Sequence, residues 1–206
     1  MTAIFSEETI AQALNKLPAR GQLAFALSCA ERLFPNYRAF VREQGGGDAD
    51  ALRCALDMGW DILENQNIER TTLYDLDERV RAAEPETEDF NSILVSSALD
   101  AAAAAGLMLG FIDKGDRSTV VEIAALSRES VDMFVRAHLV AQCSGSELER
   151  RVAEHPLMQA ELRRQHDDLC ELVSFSGALD EVHALKAKWR DPEQSNIGQV
   201  RALPQV

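Results

Sequence analysis

Glycine and proline are scarce in this sequence: eleven glycines and six prolines stand among 206 residues. So few breakers leave little room for turns and argue for long regular elements. Aromatic residues make up only 6%, while alanine, leucine, glutamate and arginine recur throughout, and these form helices readily. No alternating apolar and polar run of the strand type occurs, nor any internal repeat or low-complexity segment. Together these absences exclude a sheet-rich architecture and lead to an all-α expectation.

Positive charge is also in deficit. The 21 lysines and arginines face 34 acidic residues, which gives a net charge of −13 and a pI near 4.7. Phosphate backbones and anionic membrane surfaces require a cationic face, so neither nucleic acid nor membrane is expected as a partner. An acidic mimic of nucleic acid is conceivable, but acidity more often serves solubility. Cys29, Cys54, Cys143 and Cys170 include no CxxC pair and read as free, mostly buried thiols. Met1 to Glu8, MTAIFSEE, lacks a basic region ahead of an apolar one, so no secretory signal is expected and the chain reads as cytosolic. With 46% hydrophobic residues and no linker-like stretch, one domain is expected over residues 1–206, its 192–206 tail docking on or extending from the bundle.

The most distinctive stretch is Ile93 to Ile112, ILVSSALDAAAAAGLMLGFI, in which Asp100 is the only charge between Asp89 and Asp113. Such a segment leaves no wide polar arc on a helix, so it is expected at the bundle's centre, buried all round. Its Ala101 to Ile112 run is too short to span a bilayer.

Around it, about seven to nine helices are expected. Ile10, Leu14 and Leu17 mark a short first helix opened by Ser6 and ended by Pro18. Leu23, Leu27, Ala30 and Phe34 line a second, which Pro35 should break, with a brief helix from Asn36 to Glu43 beyond it. Gly45 to Gly47 lack a following GK[ST] and meet Asp48 instead, so they read as a loop with Asp48 or Asp50 as helix cap. Leu52, Leu56, Trp60 and Leu63 face one way, as do Leu73, Leu76, Val80 and Ala83; Pro85 and its acidic neighbours form a solvated connection. After a turn at Lys114 to Asp116, Ser118 or Thr119 opens a helix with Val120, Ala124, Val131 and Phe134 inside. Ser146 and Glu149 suggest a capping box. Leu157 to Arg190 reads as one long helix that Gly177 could bend, ended by Asp191 and Pro192.

Three motifs carry a resemblance. Cys29 to Tyr37 (CAERLFPNY), the triplet Leu99-Asp100-Ala101, and Ser195-Asn196-Ile197-Gly198 resemble, in that order, the pattern of the YjaG-like bacterial family of unknown function. The resemblance implies an all-α fold over most of the chain and supplies no activity, cofactor or catalytic residue. The tail beyond Gly198 is longer than the pattern implies.

Chemical constellations are sparse. His138, Cys143, His166 and Cys170 are zinc-ligand types, and His166 and Cys170 lie one helical turn apart, but the spacings do not match a structural zinc site. Asp180-x-x-His183 lacks the second copy that a di-iron bundle needs. There is no GxSxG. No catalytic residue, metal ligand or cofactor is therefore expected. The residues nominated as a functional or structural hub are Asp100, Arg32, Tyr37, Ser195, Asn196 and Gly198. Asp100 is expected to be buried and hydrogen-bonded, with Arg32 or the Ser195 to Gly198 segment as its partner. The tail motif itself is either a docking turn or a recognition surface. Ala98, Ala102, Gly106 and Gly110 form a small-residue stripe that serves internal helix packing or a dimer seam.

Two functional readings follow. One is a non-catalytic helical protein that binds another protein or itself. The other is an enzyme or small-ligand binder with a pocket between helices involving Asp100.

Overall fold

The structure is a computed structural model and describes residues 7–86, 92–191 and 194–199. Among these residues it is an all-α bundle of α1 (Glu7–Leu14), α2 (Ala19–Gln44), α3 (Ala49–Leu63), α4 (Arg70–Ala82), α5 (Val95–Lys114), α6 (Arg117–Leu139), α7 (Gly145–Glu154), α8 (Pro156–Leu172) and α9 (Leu179–Trp189). A two-residue antiparallel pairing of β1 (Gln194–Ser195) with β2 (Gly198–Gln199) closes the described part of the tail.

α5 packs against α2, α3, α4 and α6, which places it centrally, as the sequence predicts. It ends at Gly115, whose left-handed backbone (φ 69°) lets its N–H reach the Phe111 carbonyl at 2.7 Å. Asp116 then caps α6 by accepting from the Ser118 N–H, so the chain folds straight back along α5. The expectation of burial all round does not hold for α5, because one arc of it reaches solvent. Ser96, Leu99, Asp100, Ala103, Gly106, Leu107 and Gly110 on that arc are all partly exposed, and Ile93 is exposed. By length and composition alone α5 could cross a membrane; about half of it is buried inside the bundle.

The helix buried on all sides is α2, where every residue from Gly21 to Tyr37 is inside. Its sequence hides this, since Gln22, Glu31, Arg32 and Asn36 occupy positions that would otherwise mark a wet face. They are tolerated because each finds hydrogen-bond partners, as a buried polar group must. Gln22, for example, donates to the Leu14 and Leu17 carbonyls at 3.1 and 2.9 Å and so fastens the end of α1. Close approach of α3 depends on Gly59, where a Cβ would lie 2.9 Å from Leu27 Cδ2 and 3.2 Å from Met108 Sδ.

Four boundaries differ from expectation, the first being the start of α6, which Asp116 caps in place of Ser118 or Thr119. Pro35 lies within α2 rather than ending it. The stretch expected as one helix from Leu157 to Arg190 divides into α8 and α9. The break centres on Gly177, whose φ of +80° suits glycine and whose Cβ would meet Arg20 Nε at 2.8 Å. Glu181 caps the start of α9 by accepting from the Ser176 and Gly177 N–H groups at 2.9 and 3.1 Å. The expected capping box at Ser146 is absent. α7 begins at Gly145 after Ser144, and Glu149 instead accepts from Arg136 of α6 at 2.6 Å.

Other local readings hold. Asp48 caps α3 by accepting from the Ala51 N–H at 2.8 Å, and Leu73, Leu76 and Val80 of α4 are buried. Ser6 and residues 88, 89 and 192 lie outside the described residues.

Candidate functional site

Arg32 sits in the middle of α2 with only 8% of its surface exposed. Packing of α8 on α2 brings it two carboxylates. Nε and Nη2 donate to the Glu161 oxygens at 3.2 and 3.3 Å, and Nη1 donates to Asp168 Oδ2 at 2.7 Å. Glu161 is fully buried and also accepts from Ser127 Oγ of α6 and from Gln165 Nε2, each at 2.8 Å. Asp168 accepts at its other oxygen from the Trp189 indole of α9 at 3.1 Å. One arginine thus ties together α2, α6, α8 and α9.

The electrostatics follow from that arrangement. Burial works against the Arg32 charge, but Glu161, Cys29 and Asp168 more than offset it, and the guanidinium pKa is raised. Cys29 lies 3.5 Å from Arg32 Nη2. Burial nevertheless pushes its thiol up to about 12 despite the opposing pull of Arg32, so it is a neutral packing group rather than a nucleophile.

The preceding residue, Glu31, points the other way. Its carboxylate accepts from Arg53 of α3 at 2.7 and 2.8 Å and from the Trp60 indole at 2.8 Å. The two indoles serving these adjacent ion pairs lie 6.2 Å apart, tilted by 38°.

The Ser195 to Gly198 motif docks beside Arg32. The Asn196 N–H donates to the Arg32 carbonyl at 3.2 Å. Its side-chain amide donates to the Ser127 carbonyl at 2.7 Å, and its Oδ1 accepts from Asn36 at 2.8 Å. Ser195 Oγ holds the turn by donating to the Gly198 carbonyl at 2.8 Å and accepting from the Ile197 N–H at 3.1 Å. Gly198 adopts φ 103°, a left-handed conformation that glycine accepts without strain. Ser195 and Asn196 are each 2% exposed, so this motif is a docking turn.

The other nominated residues do not join them. Tyr37 donates to the Ala83 carbonyl at 2.5 Å and accepts from the Asp48 N–H at 3.2 Å, clasping the start of α3 and the end of α4; burial raises its phenol pKa. Asp100 meets neither Arg32 nor the tail, contrary to expectation. It lies on the open side of α5 with its Oδ2 shielded and without a hydrogen-bond partner. Desolvation, with a smaller contribution from Glu129, pushes its carboxyl up to about 7.

The small-residue stripe is split in two. Ala98 and Ala102 are fully buried, whereas a Cβ at Gly106 would meet only Val80 at 3.9 Å and one at Gly110 would meet nothing within 4 Å. His166 Nε2 lies 3.6 Å from Cys170 Sγ on α8. Among the described residues no cluster of three or more histidine, cysteine or acidic side chains is arranged to hold a metal ion.

The Arg32 network reaches the surface at a cleft of about 270 Å³ lined by Arg32, Arg164, Asp168, Lys188, Trp189 and Asp191. Sequence reasoning missed Glu161, Gln165, Asp168 and Trp189 as members of a site. A signal was present, since Met158, Glu161, Gln165, Asp168 and Leu172 follow one helical stripe and all are buried.

Comparison with known proteins agrees with this architecture. A family model described as a protein of unknown function, DUF416, matches residues 9–199. The uncharacterized protein YjaG of Escherichia coli is 26% identical over 187 residues, which cover 90% of this chain and 93% of that protein. YjaG of Salmonella typhimurium is also 26% identical, over 188 residues and the same shares of the two chains. The crystal structure of a DUF416 family protein from Shewanella baltica superposes with a TM-score of 0.82 and 25% identity, covering 97% of this chain and 99% of that one. The chain therefore belongs to the DUF416 family of proteins of unknown function.

Proposed function

We propose that this is a non-catalytic binding protein of the cytosol that docks another protein, or a second copy of itself, on the open arc of α5. The observation that carries this reading is the partly exposed run of Leu99, Ala103, Gly106, Leu107 and Gly110 along one side of an otherwise apolar helix. Apolar area left in water forgoes about 25 cal/mol per Å² of stabilisation. Small side chains there let a second helix approach closely, toward the short end of the usual 8 to 10 Å interaxial range. The net charge of −13 favours a protein partner over nucleic acid or a membrane.

The arrangement of polar groups points the same way. The buried charges Glu31, Arg32, Glu161 and Asp168 are engaged with one another or with Arg53 and the indoles, which suits a structural role. The alternative, a catalytic or ligand pocket built on Asp100, gains little support because Asp100, Arg32 and Tyr37 face different surroundings.

A photo-crosslinking residue in place of Ala103, in cells producing the protein, tests the docking face. A discrete adduct from position 103, lost on Leu107→Glu, is the expected result for a different partner. For self-association the expected result is a sedimenting dimer that Leu107→Glu separates into folded monomers. A strict monomer with no adduct from position 103 overturns the reading.

A further inference from the structure

We infer that the cleft beside Arg32 is a binding site for a small oxyanion, a carboxylate or phosphate group of a small molecule. Arg32 carries five N–H groups and uses four, in two bonds to Glu161, one to Asp168 and one to Cys29 Sγ. The remaining proton is on Nη1, in a side chain that is more than nine-tenths buried and lines the cleft. On the cleft side that proton is available to an anionic acceptor, and a charge-assisted bond to it would be among the stronger kinds.

Arg164 supplies an independent observation. It lies one turn before Asp168 on α8, a spacing at which arginine and aspartate commonly pair. Yet it makes no hydrogen bond or ion pair to any described residue, while the Asp168 oxygens accept from Arg32 and from the Trp189 indole. In a chain with thirteen more acidic than basic residues, a partly buried arginine without a carboxylate is notable, and this one lines the same cleft.

Lys188 completes a third cationic wall. Its ammonium pairs outward with Glu171 at 2.5 Å and lies 5.9 Å from the Trp189 ring centre. Asp168 and Asp191, the two acidic residues of the lining, set the limit on ligand charge. The Arg32 charge is shared between Asp168 and Glu161, so Arg164 supplies the cation not already engaged by a carboxylate, and Asp191 favours a ligand that presents a single anionic group toward it. The volume, about 270 Å³, lies just below that of typical small-molecule pockets, roughly 300 to 1,000 Å³. It accommodates a phosphate or a short carboxylic acid rather than a nucleotide.

Titration of the full chain with inorganic phosphate, and separately with acetate, at constant ionic strength set with sodium chloride tests this inference. The readouts are the Nε–H resonances of Arg32 and Arg164, followed by NMR. Saturable shifts of both resonances are expected with at least one anion, and Arg164→Gln should weaken the binding about tenfold, while Arg164→Lys retains part of it. Circular dichroism and thermal melting of Arg164→Gln should match the parent, since the replaced side chain has no internal partner. Response to phosphate alone assigns a phosphate ligand, response to acetate alone a carboxylate, and response to both an oxyanion of either kind. Absence of saturation with both, or binding that Arg164→Gln leaves unchanged, overturns the proposal.

Discussion

Asn196 donates its backbone N–H to the carbonyl of Arg32 at 3.2 Å, and this bond joins the tail to the stretch of α2, Gly21 to Tyr37, that is buried on every side. Pro35, one turn along α2, brings no N–H to the Glu31 carbonyl, and the next carbonyl in line is the one Asn196 meets from outside. The Asn196 side chain then links Asn36 of α2 with the Ser127 carbonyl of α6. A proline inside a helix and a polar turn on the tail thus form one feature, in which an external donor serves backbone beside an interrupted helical ladder.

Removing Asn196 should therefore loosen more than the tail. Asn196→Ala removes a donor from the Ser127 carbonyl and leaves the Asn36 amide with only its longer bond to Ser130 Oγ at 3.4 Å, at a cost of about 1 to 3 kcal/mol. Denaturant melts measure the loss. Hydrogen exchange should quicken at the Asn196 and Ile197 amides before the rest of the bundle opens; unchanged protection there would deny the docking its energetic role.

Arg32 should behave as the shared partner of Glu161 and Asp168. Arg32→Met strands two carboxylates and should destabilise by about 3 to 5 kcal/mol. Asp168→Asn combined with Arg32→Met should cost less than the sum of the two single changes, whereas Asp100→Ala combined with Arg32→Met should be additive, because Asp100 belongs to different surroundings. A double-mutant cycle that couples Arg32 to Asp100 and not to Asp168 would contradict the geometry.

The two partly exposed glycines of α5 should be improvable. At Gly110 a Cβ meets nothing within 4 Å, so Gly110→Ala should stabilise the isolated chain by about 0.5 to 1 kcal/mol through helix propensity. Gly106→Leu should leave the monomer folded, its side chain directed past Val80, and weaken any docking on this arc. By contrast, Gly177→Ala combines an unfavourable positive φ with a Cβ 2.8 Å from Arg20 Nε and should cost about 1 to 3 kcal/mol. Thermal melting of the three variants gives the order directly.

The sequence was informative wherever apolar periodicity decided the outcome. Leu52, Leu56, Trp60 and Leu63 are buried as their spacing predicts, as are Leu73, Leu76 and Val80. It misled where polar residues occupy inward positions. Glu161, Gln165 and Asp168 interrupt the apolar pattern of α8, and their burial is made tolerable by partners brought from distant helices: Arg32 of α2, Ser127 and the Ala124 carbonyl of α6, and Trp189 of α9. Asp100 fails in the opposite sense. Its apolar sequence neighbours imply enclosure, but exposure is set by where α4 and α6 lie beside α5, which local spacing does not encode.

That position gives Asp100 a pH signature. Its carboxyl is pushed up from the ordinary value of 3.8 to about 7 by desolvation and then by Glu129. A carboxyl whose folded pKa exceeds its unfolded one binds more protons in the folded state between those two values, so folding stability must fall as pH rises through that interval. The contribution is fully present below about 4, declines between about 4 and 7, and is absent above. Asp100→Asn keeps the shape and removes the ionisation. It should stabilise the protein at pH 8 by about 1 to 2 kcal/mol, a figure reduced for partial exposure, and leave stability at pH 4 nearly unchanged. Glu129→Gln should lower the Asp100 pKa only modestly, since burial is the larger cause. Urea melts of the parent and Asp100→Asn from pH 4 to pH 8 decide the matter: the two curves should diverge as pH rises, and parallel curves would place the carboxylate in ordinary contact with water.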